Sequence, residues 1–146
     1  MKEIKKSVIL FAGTTEGRLL AEYLQELDQP FVICVATGYG RDLLEDISRP
    51  DENGCMEIRQ GRLDVTEMER MFDELRPELV IDATHPYAKE VTGNIKRACM
   101  EEQIPLLRCL RDAEAESAEE EGVFYVPTAE AAVQMLGRTE GNVFVT

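Results

Sequence analysis

The chain has 146 residues, enough for one domain with a real core. Hydrophobic residues make up 44% and charged residues 31%, the balance of a globular chain, and no run approaches the roughly 20 apolar residues of a membrane helix. The formal net charge of −13 repels nucleic acid and anionic membranes, so an anionic ligand needs a local arginine.

In chain order, the basic start Met1-Lys2-Glu3-Ile4-Lys5-Lys6 is followed by Ser7–Ala12, an apolar run that reads as a strand; no cleavage site follows it, so it is not read as a signal peptide. Gly13-Thr14-Thr15-Glu16-Gly17 turns directly into a helical pattern, Thr15–Leu27, with Leu19, Leu20, Tyr23, Leu24 and Leu27 on one face. Asp28-Gln29-Pro30 ends it. Phe31–Ala36 is a second buried strand, followed by Thr37-Gly38-Tyr39-Gly40 and a short helix at Arg41–Ile47. Arg49–Gly54 is a polar loop. Met56–Gln60 is a shorter, more polar strand, nearer an edge. Asp64 and Glu67 form a capping box for a helix that runs to Leu75. Leu79–Ala83 is a fourth strand, and Pro86–Gln103 a helix with Pro86 in its first turn. Leu106–Leu110 is a fifth strand.

An acidic block from Asp112 to Glu121 reads as a solvated linker over residues 112–122. A strand at Val123–Val126, a helix at Thr128–Leu136 and a strand opening at Asn142 begin a second α/β domain, residues 123–146. The chain stops at Thr146, inside what reads as a strand, so a truncated second half is expected. The four cysteines, Cys34, Cys55, Cys99 and Cys109, are scattered without a C-x-x-C pair and read as reduced thiols of a cytoplasmic protein. No metal site is assigned.

Strands alternating with helices at this spacing imply an α/β fold, a doubly wound parallel sheet over residues 1–111. Right-handed crossovers put the ends of the first, second and fourth strands on one rim, where ligands bind near the switch point. At the first turn, a glycine lets a ligand approach the backbone, and the helix presents unpaired N–H groups to an anion. Against G-x-G-x-x-G the register is Ala12, Thr14, Gly17, so only the third glycine is present. Against G-x-x-x-G-x-G, Gly13 and Gly17 fit and Leu19 does not. The turn suits a nucleotide phosphate; it also suits a ligand-free turn capped by Thr14 or Thr15.

The same rim carries Asp82-Ala83-Thr84-His85-Pro86-Tyr87-Ala88. His85, the only histidine, is either a polar group aimed into the cleft or a cap bonded to backbone before the helix. Arg62, after the third strand, can hold a phosphate or a substrate carboxylate bidentately. After the second strand no acid appears until Asp42, which argues against an ordinary NAD site and for NADP. Arg41 there is either a partner for a 2′-phosphate or a solvated helix end.

These segments together resemble the precorrin-6A reductase family, including its cobalt-precorrin-6A form. The resemblance rests on Gly13-Thr14-Thr15-Glu16-Gly17-Arg18, Val35-Ala36-Thr37-Gly38-Tyr39-Gly40, Gly61-Arg62-Leu63-Asp64 and Asp82-Ala83-Thr84-His85-Pro86-Tyr87-Ala88, extended by Ile104-Pro105-Leu106-Leu107-Arg108. Ala12 stands where many members have glycine. The resemblance implies two Rossmann-like halves, of which this chain is the first plus the crossing into the second. It implies hydride transfer from NADPH, or NADH, to a carbon–carbon double bond of precorrin-6A or cobalt-precorrin-6A. Gly13, Thr14, Thr15, Glu16 and Gly17 then form the phosphate turn, and Thr37, Tyr39 and Arg41 border the adenosine. Arg62, Thr84 and Tyr87 face the substrate. His85 is the protein's candidate proton donor, with water or a substrate group as the alternative. Alone, this chain is expected to fold without turnover.

Two other classes compete. A dehydrogenase or epimerase of the extended short-chain kind needs a Tyr-x-x-x-Lys pair, which the chain lacks. A receiver-like or nucleotide-sensing module of the phosphoacceptor kind needs paired aspartates after the first strand, which are also missing.

Overall fold

The computed structural model describes residues 7–47, 54–110, 126–138 and 141–142. The chain divides into two compact units, Met1–Asp112 and Ala113–Thr146. In the first, five hydrophobic runs form strands β1 (Val8–Ala12), β2 (Phe31–Val35), β3 (Met56–Gln60), β4 (Leu79–Ala83) and β5 (Leu106–Arg108). Helices α1 (Thr15–Glu26), α2 (Gly38–Ile47), α3 (Val65–Leu75) and α4 (Lys89–Glu101) alternate with them. All pairs are parallel, in the order β3-β2-β1-β4-β5. This is the Rossmann-like doubly wound sheet. The chain steps outward from β1 to β3, then crosses back to β4 on the other side of β1. That reversal opens a crevice at the strands' C-terminal rim.

Alternate strand residues point to opposite faces. Ile9, Phe11, Val32, Cys34 and Val80 meet Met68, Met71 and Phe72 of α3 and Ile95, Ala98 and Cys99 of α4. The rings of Phe11 and Phe72 pack edge to face at 6.5 Å. Val8, Leu10, Phe31, Ile33, Val35, Ile81 and Ala83 face the other way, onto Ala21 and Leu24 of α1 and Leu44 of α2. β3 lies at the sheet edge, as its polar sequence implies, and its Arg59 pairs with Glu57 at 2.7 Å and Glu74 at 3.2 Å. The capping box of α3 is complete, with both Asp64–Glu67 bonds at 2.8 Å.

Several local features differ from the sequence pattern. α1 buries Gly17, Ala21 and Leu24, while Leu19, Tyr23 and Leu27 of the expected inner face are more than half exposed at 52%, 55% and 58%. The cause is close approach. A Cβ on Gly17 would lie 3.0 Å from the Ala12 Cβ and 3.3 Å from the Ala83 Cβ, so small residues must face the sheet at this end. α2 starts at Gly38, not Arg41, because the Thr37 hydroxyl accepts from the Gly40 N–H and caps it. α4 starts at Lys89, not Pro86; residues 85–88 form a separate turn closed by the Ala88 N–H to the His85 carbonyl. β5 stops at Arg108, two residues short of the expected Leu110.

α1, α3 and α4 end alike. Asp28, Arg76 and Gln103 adopt left-handed backbone with φ of 50°, 45° and 55°. Pro30, Pro77 and Pro105 follow, and none of them can continue a helix.

In the second unit, α5 (Ala129–Leu136) is capped by Thr128, whose hydroxyl accepts from the Ala131 N–H at 3.1 Å. The basic start, most of the loop at Arg49–Gly54, the acidic block and the strand after Asn142 lie outside the described residues. Of the strand expected at Val123–Val126 only Val126 is described, and it is in no strand. Among the described residues, no helix is long and apolar enough to cross a membrane.

Burial pushes the Cys34 thiol up to about 12 and the Cys99 thiol up to about 11, the latter helped by the negative charge of Asp82. Both stay protonated in the folded chain at pH values where the unfolded chain ionises. The stability they contribute is complete below pH 9.0 and is lost as pH rises toward 11 and 12. The urea midpoint therefore falls through this alkaline window, and a Cys34→Ala/Cys99→Ala variant falls less steeply. Parallel slopes would show that other groups dominate.

Candidate functional site

The rim is built at four strand ends. After β1, Gly13 and Thr14 lead into α1. The Thr14 hydroxyl accepts from the Gly17 N–H at 3.2 Å, which caps the helix. It also donates to the Ala83 carbonyl at 2.9 Å, which ties this turn to the end of β4. The Thr14 carbonyl takes the Arg18 N–H, leaving Thr15 at the open, electropositive end of the helix. Gly13 differs from Gly17: a Cβ there would meet only the Thr84 Cα and the His85 nitrogen, both at 3.8 Å. The fold itself does not demand glycine at position 13.

After β4, a polar network fixes the loop. Asp82 is fully buried. Its Oδ1 accepts from the Thr84 N–H at 3.0 Å, the Thr84 hydroxyl at 2.7 Å and Arg108 Nη1 at 2.6 Å. Arg108 also donates to the Asp82 and His85 carbonyls and to the Thr84 hydroxyl. Thr92 of α4 lies 3.3 Å from the same hydroxyl. Asp82 Oδ2 is buried and has no partner among the described residues.

His85 is exposed above this network. Its Nδ1 accepts from the Tyr87 N–H at 3.2 Å. A neutral ring that accepts at Nδ1 carries its proton on Nε2, so it presents a donor away from the turn. The Tyr87 ring lies 5.2 Å from that of His85 and is 84% exposed. The local cap and the cleft-facing donor are thus compatible roles for one imidazole.

A cleft of about 1100 Å³ runs along the rim. Gly13, Thr14, Thr15 and Glu16 line it from the first turn, Thr37 and Tyr39 from the second, Arg62 from the third, and Thr84, His85 and Tyr87 from the fourth. Two residues read from the sequence as cofactor contacts stand elsewhere. Gly17 is buried on the inner face of α1 against Ala12 and Ala83, where its part is helix packing. Arg41 does not line the cleft; its guanidinium pairs with Glu45 at 2.8 Å one helical turn on. Thr84 lines the cleft, but its hydroxyl is occupied by Asp82 and Arg108. Arg62 and Lys89 are exposed and unpaired among the described residues, whereas Arg18 pairs with Glu22 at 3.3 Å. A smaller cavity of about 430 Å³ beside α3 is lined by the paired Arg59 and Glu74, by Gln60, Glu67 and Arg70, and by the protonated Cys34 thiol.

Asp82 and Arg108 are the pair that sequence reading missed as site residues. They lie 26 residues apart, and the one available signal was an acid inside an otherwise apolar strand run, Leu79-Val80-Ile81-Asp82-Ala83.

The family described as Precorrin-6x reductase CbiJ/CobK matches residues 7–146. A cobalt-precorrin-6A reductase of Salmonella typhimurium is 36% identical over 92 residues, covering 63% of this chain and 32% of that protein. One from Priestia megaterium is 25% identical over 139 residues, 95% of this chain and 51% of that protein. A solved structure, CobK precorrin-6A reductase, superposes with a TM-score of 0.66 at 25% identity, over 88% of this chain and 47% of its own. The chain thus spans about a third to a half of the length of these relatives.

Arg108→Ala leaves the Asp82 carboxylate buried without its cation. The expected loss is about 3 kcal/mol of stability by urea denaturation. Adding Asp82→Asn to that variant should recover part of it. A double variant as unstable as the sum of the two singles would mean that the pair is not coupled.

Proposed function

The chain belongs to the precorrin-6x reductase family, and on that premise we propose that its rim cleft is the nicotinamide nucleotide side of a corrinoid reductase. The reaction is hydride transfer from NADPH to a macrocycle double bond of precorrin-6A or cobalt-precorrin-6A. The observation that carries this reading is the first turn: a glycine that packing does not require stands beside the open end of α1, at the mouth of the switch-point crevice. The residues fit a dinucleotide. No carboxylate follows β2 before Asp42 to repel a 2′-phosphate, and the cleft reaches from Tyr39 to Tyr87.

When bound, the reduced nicotinamide supplies the hydride. The protein's part is to hold and orient. The backbone of Gly13, Thr14, Thr15 and Glu16 receives the pyrophosphate, and the Thr14 tether keeps that turn in place. Thr37 and Tyr39 border the adenosine. Thr84, held by Asp82 and Arg108, shapes the wall beneath the ring system. His85 would present its Nε2–H as a hydrogen-bond donor at the reacting end, next to the exposed face of Tyr87, and the proton that completes the reduction would come from water or a substrate group. In this reading residues 1–111 are the nucleotide-binding domain, 112–122 a linker and 123–146 the opening of a second α/β domain. The enzyme works in the cytoplasm with its thiols reduced.

Two glycines provide the test. Gly13→Val should abolish NADPH binding in calorimetry with the circular dichroism spectrum unchanged. Gly17→Ala should instead lower stability by about 1–3 kcal/mol, because its Cβ meets the sheet. Unaltered NADPH affinity in Gly13→Val would overturn the phosphate assignment. In the full-length enzyme, His85→Ala should lower turnover about 100-fold, the scale of a lost hydrogen-bond donor at the reacting centre. A fully active variant would leave His85 as a turn cap alone.

A further inference from the structure

We propose that Arg108 is a positioning residue for His85: one arm of its guanidinium is anchored on the buried Asp82 carboxylate, and the other holds the main chain of the turn that presents the imidazole. Its part in turnover rests on the cleft being a corrinoid reductase site. Its part in ordering the turn does not.

Connectivity is the first argument. Asp82 and Arg108 are in register across β4 and β5. The Cys109 N–H donates to the Asp82 carbonyl at 2.9 Å, so the sheet fixes the base of the Arg108 side chain. Nη1 lies 2.6 Å from Asp82 Oδ1, 3.2 Å from the Asp82 carbonyl and 3.1 Å from the Thr84 hydroxyl. Nη2 reaches past these to the His85 carbonyl, at 3.5 Å. That carbonyl also accepts from the Ala88 N–H at 2.9 Å, the bond that closes the turn. The Tyr87 N–H, inside the same turn, donates to the His85 ring at 3.2 Å. The imidazole is thus held through its own main chain, from the guanidinium beneath it.

Exposure and shape are the second argument. Asp82 and Arg108 are not among the residues lining the cleft, whereas Thr84, His85 and Tyr87 are. The pair therefore acts on a ligand through those residues. Residues 85–87 are all exposed. Packing does not hold them, so their order comes from hydrogen bonds, and a turn with few such bonds opens locally. A counter-ion for Asp82 needs only one cationic nitrogen, which lysine also supplies. Serving a carboxylate and a separate carbonyl at once needs the planar fork of arginine.

The test sets Arg108→Lys beside the unaltered chain. Lysine keeps a cation for Asp82 and gives up the second arm. Amide exchange by NMR should quicken about 10-fold at Tyr87 and Ala88, the scale of one hydrogen bond, and stay within about twofold at Val80 and Ile81 of β4. In the full-length enzyme, kcat should fall about 10-fold, with KM for cobalt-precorrin-6A and for the nicotinamide nucleotide within about twofold. In a His85→Ala background the same substitution should cost no further turnover, because Arg108 acts through that residue. Exchange rates in the lysine variant equal to those of the unaltered chain would overturn the proposal and leave Arg108 as a counter-ion alone. Equal quickening in the turn and in β4 would also overturn it, as the mark of a purely structural role. A further loss of turnover in the His85→Ala background would overturn the route through His85. A full-length enzyme without reductase turnover would overturn the reading of the cleft and the catalytic part of this proposal, while the exchange rates still decide whether Arg108 orders the turn.

Discussion

The rim depends on one buried carboxylate. Asp82 sits in β4, between apolar neighbours, with no exposure to water. A charge in that position is tolerable only if it is paired and hydrogen-bonded. Its Oδ1 gathers the backbone and hydroxyl of Thr84 and the guanidinium of Arg108, so β4, its following loop and β5 meet at one atom. Such a pair adds little net stability over an apolar replacement; what it does is exclude other arrangements of the groups around it. The excluded arrangements here are those of residues 84–88, the turn that carries His85. That argues for a role in precision at the site over one in holding the sheet together.

The two sides of the crevice are then linked through three consecutive residues. Ala83 accepts the Thr14 hydroxyl from the first turn, Thr84 receives Arg108, and the His85 carbonyl accepts from the same guanidinium. The turn after β1 and the turn after β4 cannot drift independently. Gly17 completes the clamp by letting α1 sit directly on Ala12 and Ala83. A ligand spanning the crevice meets walls already set by the protein's internal bonds, which reduces what binding must order.

Local signals carried most of the architecture. A threonine cap on α1, the Asp64–Glu67 box and the polar edge strand were legible because each depends on neighbours a few residues away; the structure chooses Thr14 over Thr15 as the cap. The inner face of α1 was not, since the leucine periodicity fits two overlapping stripes. Only the tight contact of Gly17 with Ala12 shows which stripe faces the sheet. Pro86 resembles a helix start, but the bond from the Ala88 N–H to the His85 carbonyl closes a separate turn first, with the Tyr87 N–H held by the His85 ring. At the site, the four rim segments could be named from sequence because the fold class predicts where ligands bind. The long-range pair could not. Arg108 finds Asp82 only through the pairing of β4 with β5, whereas Arg41 and Glu45 are one turn apart on α2 and their pairing is a local one.

The left-handed stops at Asp28, Arg76 and Gln103 separate durability from function. Helices run back against parallel strands, so all three stops lie on the rim opposite the cleft. Each non-glycine residue there gives up roughly 1 kcal/mol relative to an unstrained backbone. Among the described non-glycine residues, no cleft-lining position has a positive φ. Strain is often stored at active sites, where relieving it harms activity. Here it is stored at the far end. Glycine at those three positions is a route to a more heat-resistant protein that leaves the geometry around His85 untouched.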